Sequence, residues 1–324
     1  MTMPDILVSE NISGGEMDSL KRAFEVAFEP ELWKSPQKLL SMIGSCKALI
    51  VRNQTQVNAE LIAAAKRLLV IGRAGVGLDN VDAKAASAAG IVVSFAPEQN
   101  SVSVAELTIG LILTLARDIA AADRSVKAGK WERQRFVGTE LHGKTLGIVG
   151  LGRIGFLTAM RARAFGLDIL AHDNYINPDA FTVTECRARL VGLNELLQKS
   201  DFVSCHTPET PATIGLFNYD LFSQMKPTAF FVNAARGKVV DEAGLIRALK
   251  EKKIAGAALD VRAQEPPARD ELMEMDNVVL MPHVAAFTKE AQQRVVTCVC
   301  KDVAAVLNGQ PARNFFNFPS PKRA

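Results

Sequence analysis

The chain is poor in several residue types that define particular classes of protein. It has five cysteines among 324 residues, an odd number without the paired spacing of a zinc site. We therefore expect reduced thiols in a cytoplasmic protein rather than a disulfide-stabilised secreted one. The four histidines leave few side chains that can carry a proton near neutral pH.

Long apolar runs and a large excess of one charge are also missing. The longest apolar run, residues 107–116, lies between Glu106 and Arg117 and is too short to cross a bilayer. Lys and Arg total 38 against 35 Asp and Glu, a net charge of +3. This balance gives no reason to expect nucleic acid or a membrane as a partner. Because Asp5 interrupts the apolar N-terminus, we do not expect a secretory signal peptide.

What the sequence does contain is a glycine-rich turn between a predicted strand and a predicted helix. Residues 145–149 are typical of a buried parallel strand, and residues 154–165 carry apolar side chains at helical spacing. Between them lies the pattern Gly-x-Gly-x-x-Gly, formed by Gly150, Gly152 and Gly155. Such glycines allow a tight turn, close approach of a pyrophosphate to the backbone, and close packing of the helix.

Glycine patterns also occur in ordinary turns, but here the expected surroundings are complete. A second predicted strand, residues 168–171, leads to Asp173, at the spacing of a carboxylate that binds the adenosine ribose. The helix N-terminus would face the pyrophosphate. We therefore predict a dinucleotide site. Asn174 and Tyr175, which follow Asp173, carry no charge to neutralise a 2′-phosphate, which favours NAD over NADP.

Short apolar strands alternate with helical patterns on both sides of this turn. The other predicted strands are residues 6–8, 48–51, 69–71, 91–93, 202–205, 229–233, 255–259 and 278–281. This order predicts the α/β class, with two doubly wound parallel-sheet domains. A flavodoxin-like substrate domain would comprise residues 1–98 and 290–324, interrupted by a Rossmann domain at 99–289. Residues 101–130 give one long helical pattern between them, and a last helix, residues 289–307, returns to the first domain.

Basic residues follow two strands of the first predicted domain. Arg52 and Arg73 come just after strand ends, and Val76 and Gly77 form a turn after the second strand. Ligands of such sheets bind beyond the carboxyl ends of the strands, and arginine binds anionic groups bidentately. From position alone, however, a solvated role is favoured for both arginines, since most arginines are exposed.

Among the histidines, His283 is the candidate proton carrier. His142 precedes the glycine-turn strand at the wrong edge of the sheet, His172 lies beside the ribose-binding carboxylate, and His206 is expected to flank the cofactor. His283 follows the last strand, where a structural histidine is equally possible. Three charged residues, Arg236, Asp260 and Glu265, occupy similar strand-end positions. A carboxylate there would fix the imidazole tautomer, and a guanidinium would bind a carboxylate.

Together these motifs resemble the D-isomer-specific 2-hydroxyacid dehydrogenases over nearly the whole chain. The resemblance rests on residues 143–155, Asn233-Ala-Ala-Arg-Gly237, Leu259-Asp-Val261, Glu265-Pro266 and Pro282-His283. Within the family, residues 72–82, Trp131-Glu-Arg133 and Thr139-Glu-Leu141 look most like the D-3-phosphoglycerate dehydrogenases.

The resemblance implies an NAD-dependent oxidoreductase that transfers hydride between the nicotinamide and C2 of a small anionic D-2-hydroxy or 2-keto acid, with 3-phosphoglycerate as the leading substrate. It implies a catalytic set in which His283 takes the hydroxyl proton during oxidation, Glu265 orients it, and Arg236 holds the substrate. The implied substrate contacts are Arg52, Arg73, Val76, Gly77, Arg236 and His283, which reverses the preference for solvated arginines. The implied cofactor contacts are Gly150, Gly152, Arg153, Ile154, Gly155, Asp173, His206, Thr207, Pro208, Ala234, Asp260 and His283. No metal site is expected.

Other functions remain open at this point. A hydroxypyruvate or glyoxylate reductase, or a dehydrogenase for sulfolactate or another 2-hydroxy acid, would use the same scaffold. An NAD-sensing, corepressor-like binding protein is disfavoured because the catalytic set is complete. The family implies a homodimer or dimer-based oligomer, joined through residues 101–130. Gln99 and Glu209 depart from the family pattern, and the sequence leads us to expect no serine-binding regulatory domain.

Overall fold

The computed structural model describes residues 4–323 and divides into two units, each built on one parallel sheet. The first unit comprises Met1–Asn100 and Thr288–Ala324, and the second comprises Ser101–Phe287. Among the described residues, no helix is long and apolar enough to cross a membrane.

The first unit has a five-stranded sheet in the order β2-β1-β3-β4-β5, with all neighbours parallel. Its strands are β1 (Ile6–Val8), β2 (Val26–Phe28), β3 (Ala48–Val51), β4 (Val70–Arg73) and β5 (Val92–Phe95). Its helices are α1 (Gly15–Ala23), α2 (Pro36–Ile43), α3 (Ala59–Ala64), α4 (Ala83–Ala88) and α12 (Lys289–Leu307), with a 3₁₀ turn at Leu32–Lys34. This strand order is that of the flavodoxin-like doubly wound sheets, as predicted.

Both faces of this sheet are covered, which explains its continuous apolar strands. Alternate side chains of β1 and β3, such as Ile6 and Ile50, pack in one cluster with Val295 and Val299 of α12. The intervening side chains, such as Leu49, pack on the other face against α2 and α3. The last helix therefore completes the core of the first unit, because, among the described residues, only α1, through Met17 and Leu20, contributes the other buried helical residues of this cluster.

The second unit has a seven-stranded sheet in the order β12-β11-β10-β9-β6-β7-β8, again entirely parallel. Its strands are β6 (Thr145–Val149), β7 (Asp168–His172), β8 (Arg189–Leu190), β9 (Phe202–Cys205), β10 (Phe230–Asn233), β11 (Gly256–Leu259) and β12 (Val278–Leu280). The direction of winding reverses between β6 and β9. The predicted Rossmann fold is confirmed. In such sheets the ligand binds at the carboxyl edge beside the reversal.

Helices cover both faces of this second sheet. They are α5 (Ser101–Arg117), α6 (Ile119–Lys127), α7 (Arg153–Ala164), α8 (Phe181–Glu185), α9 (Leu193–Lys199), α10 (Tyr219–Phe222) and α11 (Glu242–Lys250). Short 3₁₀ helices occur at Arg133–Phe136, Gly237–Val239 and Glu271–Glu274. Ile112 and Ala159 contribute to the cluster on one face, while Leu197 and Leu245 contribute to the cluster on the other.

The structure corrects the sequence prediction at several elements. The single helix predicted for residues 101–130 is wrong, because Asp118 adopts φ 48° and separates α5 from α6. The edge strands β2 and β8 escaped prediction, since runs this short have no readable periodicity. Strands β4 and β5 continue to Arg73 and Phe95, so Arg73 is the last residue of its strand rather than the residue after it.

Candidate active site

The glycine turn between β6 and α7 forms an open cradle at the helix N-terminus. Gly150 has φ 94°, and a Cβ there would lie 2.9 Å from the carbonyl oxygen of His206. A Cβ on Gly155 would lie 2.2 Å from the carbonyl oxygen of Gly150, so glycine is required for α7 to begin this close to the strand. At Gly152 a Cβ would meet no atom within 4 Å. This open space, facing backbone N–H groups, fits a pyrophosphate.

Asp173 is fixed beside this cradle. Its Oδ2 accepts a hydrogen bond from the backbone N–H of Leu151 at 2.9 Å, and its Oδ1 accepts one from the N–H of Tyr175, also at 2.9 Å. Each carboxylate oxygen has a further lone pair, and the side chain is half-buried. The structure therefore brings the three glycines and the acidic residue together, and this set fits the NAD predicted for it.

The residues after β9 lie against the same turn, as the close approach of Gly150 to the His206 carbonyl shows. The His206 ring Nε2 lies 2.9 Å from Ser204 Oγ, and burial lowers the pKa of His206 to about 4. Its imidazole is therefore neutral at pH 7. Thr207 Oγ1 lies 3.3 Å from Cys205 Sγ, and Pro208 accepts a hydrogen bond from Thr213 Oγ1 at 2.6 Å.

Ile154, the second residue of α7, extends this wall of the site. It packs in a small cluster with Ala234, which follows β10, and with Ala285, which follows β12. Arg153 precedes it at the exposed N-terminus of α7. The predicted cofactor residues of four different strand ends are thus close to one another in the second unit.

Asp260 organises the segment that carries His283. It is 1% exposed, and its two carboxylate oxygens accept hydrogen bonds from the N–H groups of Val284 and Ala285 at 2.8 and 2.9 Å. Its carbonyl accepts one from the His283 N–H at 2.7 Å. These bonds hold His283 at φ 54°, a backbone conformation that is uncommon for a non-glycine residue and needs such support. Sequence reasoning missed this function of Asp260.

His283 and Glu265 form a hydrogen-bonded pair. His283 Nδ1 lies 2.6 Å from Glu265 Oε2, and Glu265 Oε1 accepts a hydrogen bond from the Arg262 N–H at 3.0 Å. Burial alone would raise the pKa of Glu265. The hydrogen bonds from His283 and Arg262, together with the positive charge of Arg236, outweigh burial, so the pKa of Glu265 is lowered. An ionised Glu265 requires a proton on Nδ1, which leaves Nε2 of His283 to exchange a proton.

Arg236 follows β10 and is half-buried. Its Nη1 donates a hydrogen bond to the Ala235 carbonyl at 2.7 Å, while the Asn233 side-chain amide donates one to the Arg236 carbonyl at 2.9 Å. The positive charge of Arg236 helps to lower the pKa of Glu265. The predicted set of Arg236, Glu265 and His283 is therefore assembled at one edge of the second sheet.

In the first unit, Arg52 and Arg73 lie at the carboxyl edge of β3 and β4. The buried Glu10 supports the first of them: its Oε1 accepts hydrogen bonds from the N–H groups of Arg52 and Thr55 at 2.8 and 3.0 Å. Burial lowers the pKa of Arg52, and Glu10 partly restores it. Two guanidinium groups at adjacent strand ends can bind an anion.

The turn after β4 adds to this basic edge. The Arg73 guanidinium folds over Gly75, where a Cβ would lie 1.5 Å from Nη1. Across residues 4–323, the hydrogen bonds found include none from the N–H of Val76 or Gly77. These amides are therefore suited to a carboxylate.

The two departures from the family pattern have local partners. The Gln99 side-chain amide donates a hydrogen bond to the Pro97 carbonyl at 3.1 Å, and Glu209 pairs with Lys238 at 2.9 Å. No cluster of three or more His, Cys, Asp or Glu side chains suited to a metal occurs in the part of the chain that the structure describes.

The fold and this site define a class of protein. Residues 109–285 match the family of D-isomer specific 2-hydroxyacid dehydrogenases, NAD binding domain, and the chain belongs to this family. Over 317 residues, 97% of the chain, it is 46% identical to D-3-phosphoglycerate dehydrogenase of Archaeoglobus fulgidus. It spans 59% of that relative's length, and about three-fifths of the length of the first curated relatives that it matches.

Solved structures match over their full length. A protein from Thermus thermophilus has a TM-score of 0.89 at 33% identity, covering 96% of this chain and 99% of its own. An NADPH-dependent glyoxylate/hydroxypyruvate reductase from Sinorhizobium meliloti, in complex with NADP and malonate, has a TM-score of 0.87 at 29% identity, with 100% of both chains covered.

Two buried charged residues, each supporting predicted site residues of its own unit, were missed from the sequence. Glu10 lies shortly after β1 and Arg262 shortly after β11, and both are buried. A charged residue just beyond a buried strand is the signal that could have found them. Burial of the side chain, which decides its role, is not readable from the sequence.

Proposed function

We propose that the chain is an NAD-dependent oxidoreductase acting on a small anionic D-2-hydroxy acid and its 2-keto partner, and that 3-phosphoglycerate is the substrate. The observation that carries the proposal is the His283–Glu265 pair, with 2.6 Å between Nδ1 and Oε2, at the same sheet edge as the glycine cradle. An acid–base histidine beside a dinucleotide site is what oxidation of an alcohol requires.

The cofactor is held by main-chain groups and one carboxylate. The N–H groups at the start of α7 bind the pyrophosphate, and Asp173 binds the adenosine ribose. When bound, NAD supplies the carbon that exchanges hydride with C2 of the substrate. Thr207, Pro208 and Ala234 would flank the bound cofactor, and the neutral His206 would add no charge beside it. Asp260 acts chiefly through the His283 segment, whose N–H groups it binds.

Proton transfer is assigned to His283. Its Nε2 accepts the hydroxyl proton during oxidation and returns it during reduction, while Glu265 keeps Nδ1 protonated and the ring oriented. Such a positioned acid–base group contributes about 10²- to 10⁴-fold to a rate. Arg236 binds the substrate carboxylate and polarises the carbonyl, for which its planar guanidinium is suited.

The anionic ends of the substrate are assigned to the basic edge of the first unit. The N–H groups of Val76 and Gly77 bind the carboxylate, and Arg52 and Arg73 bind the second anionic group. Two adjacent guanidinium groups favour a dianionic substrate. The similarity to relatives named D-3-phosphoglycerate dehydrogenase supports a phosphate as the second group.

We also infer a dimer and a cytoplasmic location. Exposed apolar side chains on and after α5 and α6, including Val126, Trp131 and Val137, support contact between copies through the stretch around residues 101–130. Five free cysteines support a reducing compartment. Sedimentation at low protein concentration tests the dimer: wild type should sediment as two copies and Trp131→Glu as one.

A substrate panel followed by NADH absorbance tests the function. The panel comprises 3-phosphoglycerate, its keto product, hydroxypyruvate, glyoxylate, D-lactate and sulfolactate. We expect the highest kcat/KM for the phosphorylated pair. Arg52→Ala or Arg73→Ala should lower that kcat/KM by about 10- to 100-fold, since each removes a charge-assisted hydrogen bond.

The matched control is Arg22→Ala, which removes an exposed arginine of the same unit and should leave kcat/KM unchanged. A preference for hydroxypyruvate or glyoxylate would contradict 3-phosphoglycerate as the substrate but would agree with the proposed hydride transfer. Binding of NADH without turnover of any acid would overturn the chemistry and favour an NAD-sensing protein.

A further inference from the structure

Arg262 is a buried charge within the segment that carries Glu265. It is 7% exposed. Its Nε and Nη2 donate hydrogen bonds to the two carboxylate oxygens of Glu242, at 2.9 and 3.0 Å, and Nη2 also bonds Asp270. Glu242 is the first residue of α11, and Asp270 precedes the 3₁₀ helix Glu271–Glu274. One guanidinium therefore joins a helix of the scaffold to the far end of the Glu265 segment.

The backbone of Arg262 touches the catalytic groups themselves. Its N–H donates to Glu265 Oε1 at 3.0 Å, and the next N–H, that of Ala263, donates to Glu242 Oε1 at 2.9 Å. On the other side, a Cβ on Gly237 would lie 1.9 Å from the Arg262 carbonyl oxygen. The Arg262 backbone is thus packed between the turn that follows Arg236 and the carboxylate of Glu265.

This arrangement constrains the carboxylate at both ends. Glu265 has one oxygen on the Arg262 N–H and the other on His283 Nδ1. A shift of the Arg262 backbone would therefore rotate the carboxylate away from the imidazole. Misplacement of a catalytic group by about 1 Å can cost about 100-fold in rate. The guanidinium is the part of Arg262 that fixes its backbone, because it binds two carboxylates from separate elements.

We propose that Arg262 is a positioning residue for the Glu265–His283 pair: by clamping Glu242 and Asp270 it holds its own N–H against Glu265 Oε1 and so aims Oε2 at His283. This inference rests on the proposed function. Its ion pairs, with Glu242 and Asp270, are local to the second unit.

The test compares Arg262→Met with Arg262→Lys. Methionine keeps an unbranched chain but no charge, whereas lysine keeps the charge and can satisfy one carboxylate. The double variant Glu242→Gln/Asp270→Asn in the Arg262→Met background removes the two partly buried charges that Arg262→Met leaves unpaired, so that a folded protein is obtained if Arg262→Met alone unfolds. Arg269→Met is the control, because this exposed arginine of the same segment pairs only at the surface with Glu274.

We expect the folded Met variants to lose about 10- to 100-fold in kcat, with KM and the affinity for NADH within about threefold of wild type. Arg262→Lys should recover part of the loss. Loss of the hydrogen bond from the backbone N–H of residue 262 raises the pKa of Glu265, so the acid limb of the kcat/KM profile should move to higher pH. The two groups that lower the pKa of Glu265 from other elements, the His283 imidazole and the Arg236 guanidinium, are unchanged in every variant.

Titration of the Glu265 carboxyl carbon by NMR provides a second readout that needs no turnover. If the Glu265 pKa is raised in the Met variants but wild type reduces none of the acids tested, Arg262 remains a positioning residue and the proposed function is rejected. Folded Met variants with wild-type kcat and an unmoved Glu265 titration would overturn the inference. So would a fall in kcat that only follows the fraction of folded, NADH-binding protein.

Discussion

His206 and His283 lie at the same edge of the second sheet and have opposite surroundings. His283 bonds an ionised carboxylate and its side chain is 40% exposed. His206 is half-buried, its Nε2 contacts the neutral Ser204 hydroxyl, and desolvation lowers its pKa to about 4. The carboxylate partner of His283 fixes its tautomer with Nε2 unprotonated, whereas His206 stays neutral at pH 7. The division of function between the two histidines follows from these neighbours.

Because desolvation lowers the pKa of His206, we expect the free energy of unfolding of the cofactor-free chain to decrease as the pH falls. The unfolded imidazole takes up a proton near pH 6.5, but the folded one does so only at about pH 4. Between these values the unfolded state binds more protons, so the free energy of unfolding decreases with decreasing pH. From pH 7 to pH 5 the His206 contribution is about 1–2 kcal/mol.

Urea unfolding at both pH values measures this contribution. Between pH 7 and pH 5, the free energy of unfolding of His206→Asn should decrease by about 1–2 kcal/mol less than that of wild type. His142→Asn, which replaces an exposed histidine, should show the wild-type decrease. Equal pH dependence in wild type and His206→Asn would contradict the assignment.

At the residue scale, strand-end positions and the family resemblance allowed candidate catalytic side chains to be named from the sequence. Arg236, Glu265 and His283 could be selected because each follows a predicted strand and has a chemical role. Arg262 and Glu10 could not, because an arginine or glutamate is normally exposed and only the folded chain shows which ones are buried. Asp260 was selected for a contact with the cofactor, whereas its bonds to the His283 segment depend on a backbone conformation that no pattern displays.

Among the elements, the turn between β6 and α7 allows cofactor binding and folding to be separated. Ala at position 152 would fill the open cradle without meeting any protein atom. Ala at position 155 would press into the Gly150 carbonyl. Gly152→Ala should therefore weaken NADH binding by tenfold or more with little change in Tm. Gly155→Ala should weaken binding and also lower stability by about 1–3 kcal/mol, the usual cost of overpacking.

Thermal unfolding and NADH fluorescence titration distinguish the two variants. Gly129→Ala is the control for a general effect of replacing glycine: its Cβ meets no atom within 4 Å, but its φ of 78° also strains the backbone, so it should lower Tm and leave NADH affinity unchanged. Normal NADH affinity in Gly152→Ala would show that the cradle does not hold the pyrophosphate.

Element prediction succeeded where apolar patterns were long and failed where they were short or interrupted. The buried strands β6 and β9 and the helix α12 have the predicted bounds, because their cores are continuous in sequence. The break at Asp118 was missed, since a residue in left-handed conformation leaves the helical spacing almost intact. The edge strands β2 and β8 are defined by pairing with a neighbour rather than by their own sequence.

The whole chain combines two sheets whose edges carry different chemistry. The second unit presents the glycine cradle and the proton-transfer pair. The first presents two arginines and the amides of Val76 and Gly77 at its own carboxyl edge. Strand alternation made both sheets predictable, and the helical pattern of residues 289–307 predicted that α12 returns to the first unit. The side chains that α12 packs against could not be predicted, because Val299 is distant in sequence from its cluster partners near the N-terminus.

Turnover by the His283→Asn variant tests the central claim, because asparagine retains a hydrogen-bonding side chain but cannot act as the proton carrier. Using NADH and the preferred keto acid, we predict a fall in kcat of about 10²- to 10⁴-fold, with NADH affinity within about threefold of wild type. His142→Asn should keep full activity. Turnover close to wild type in His283→Asn, with NADH bound normally, would contradict the account and remove the His283–Glu265 pair from the mechanism.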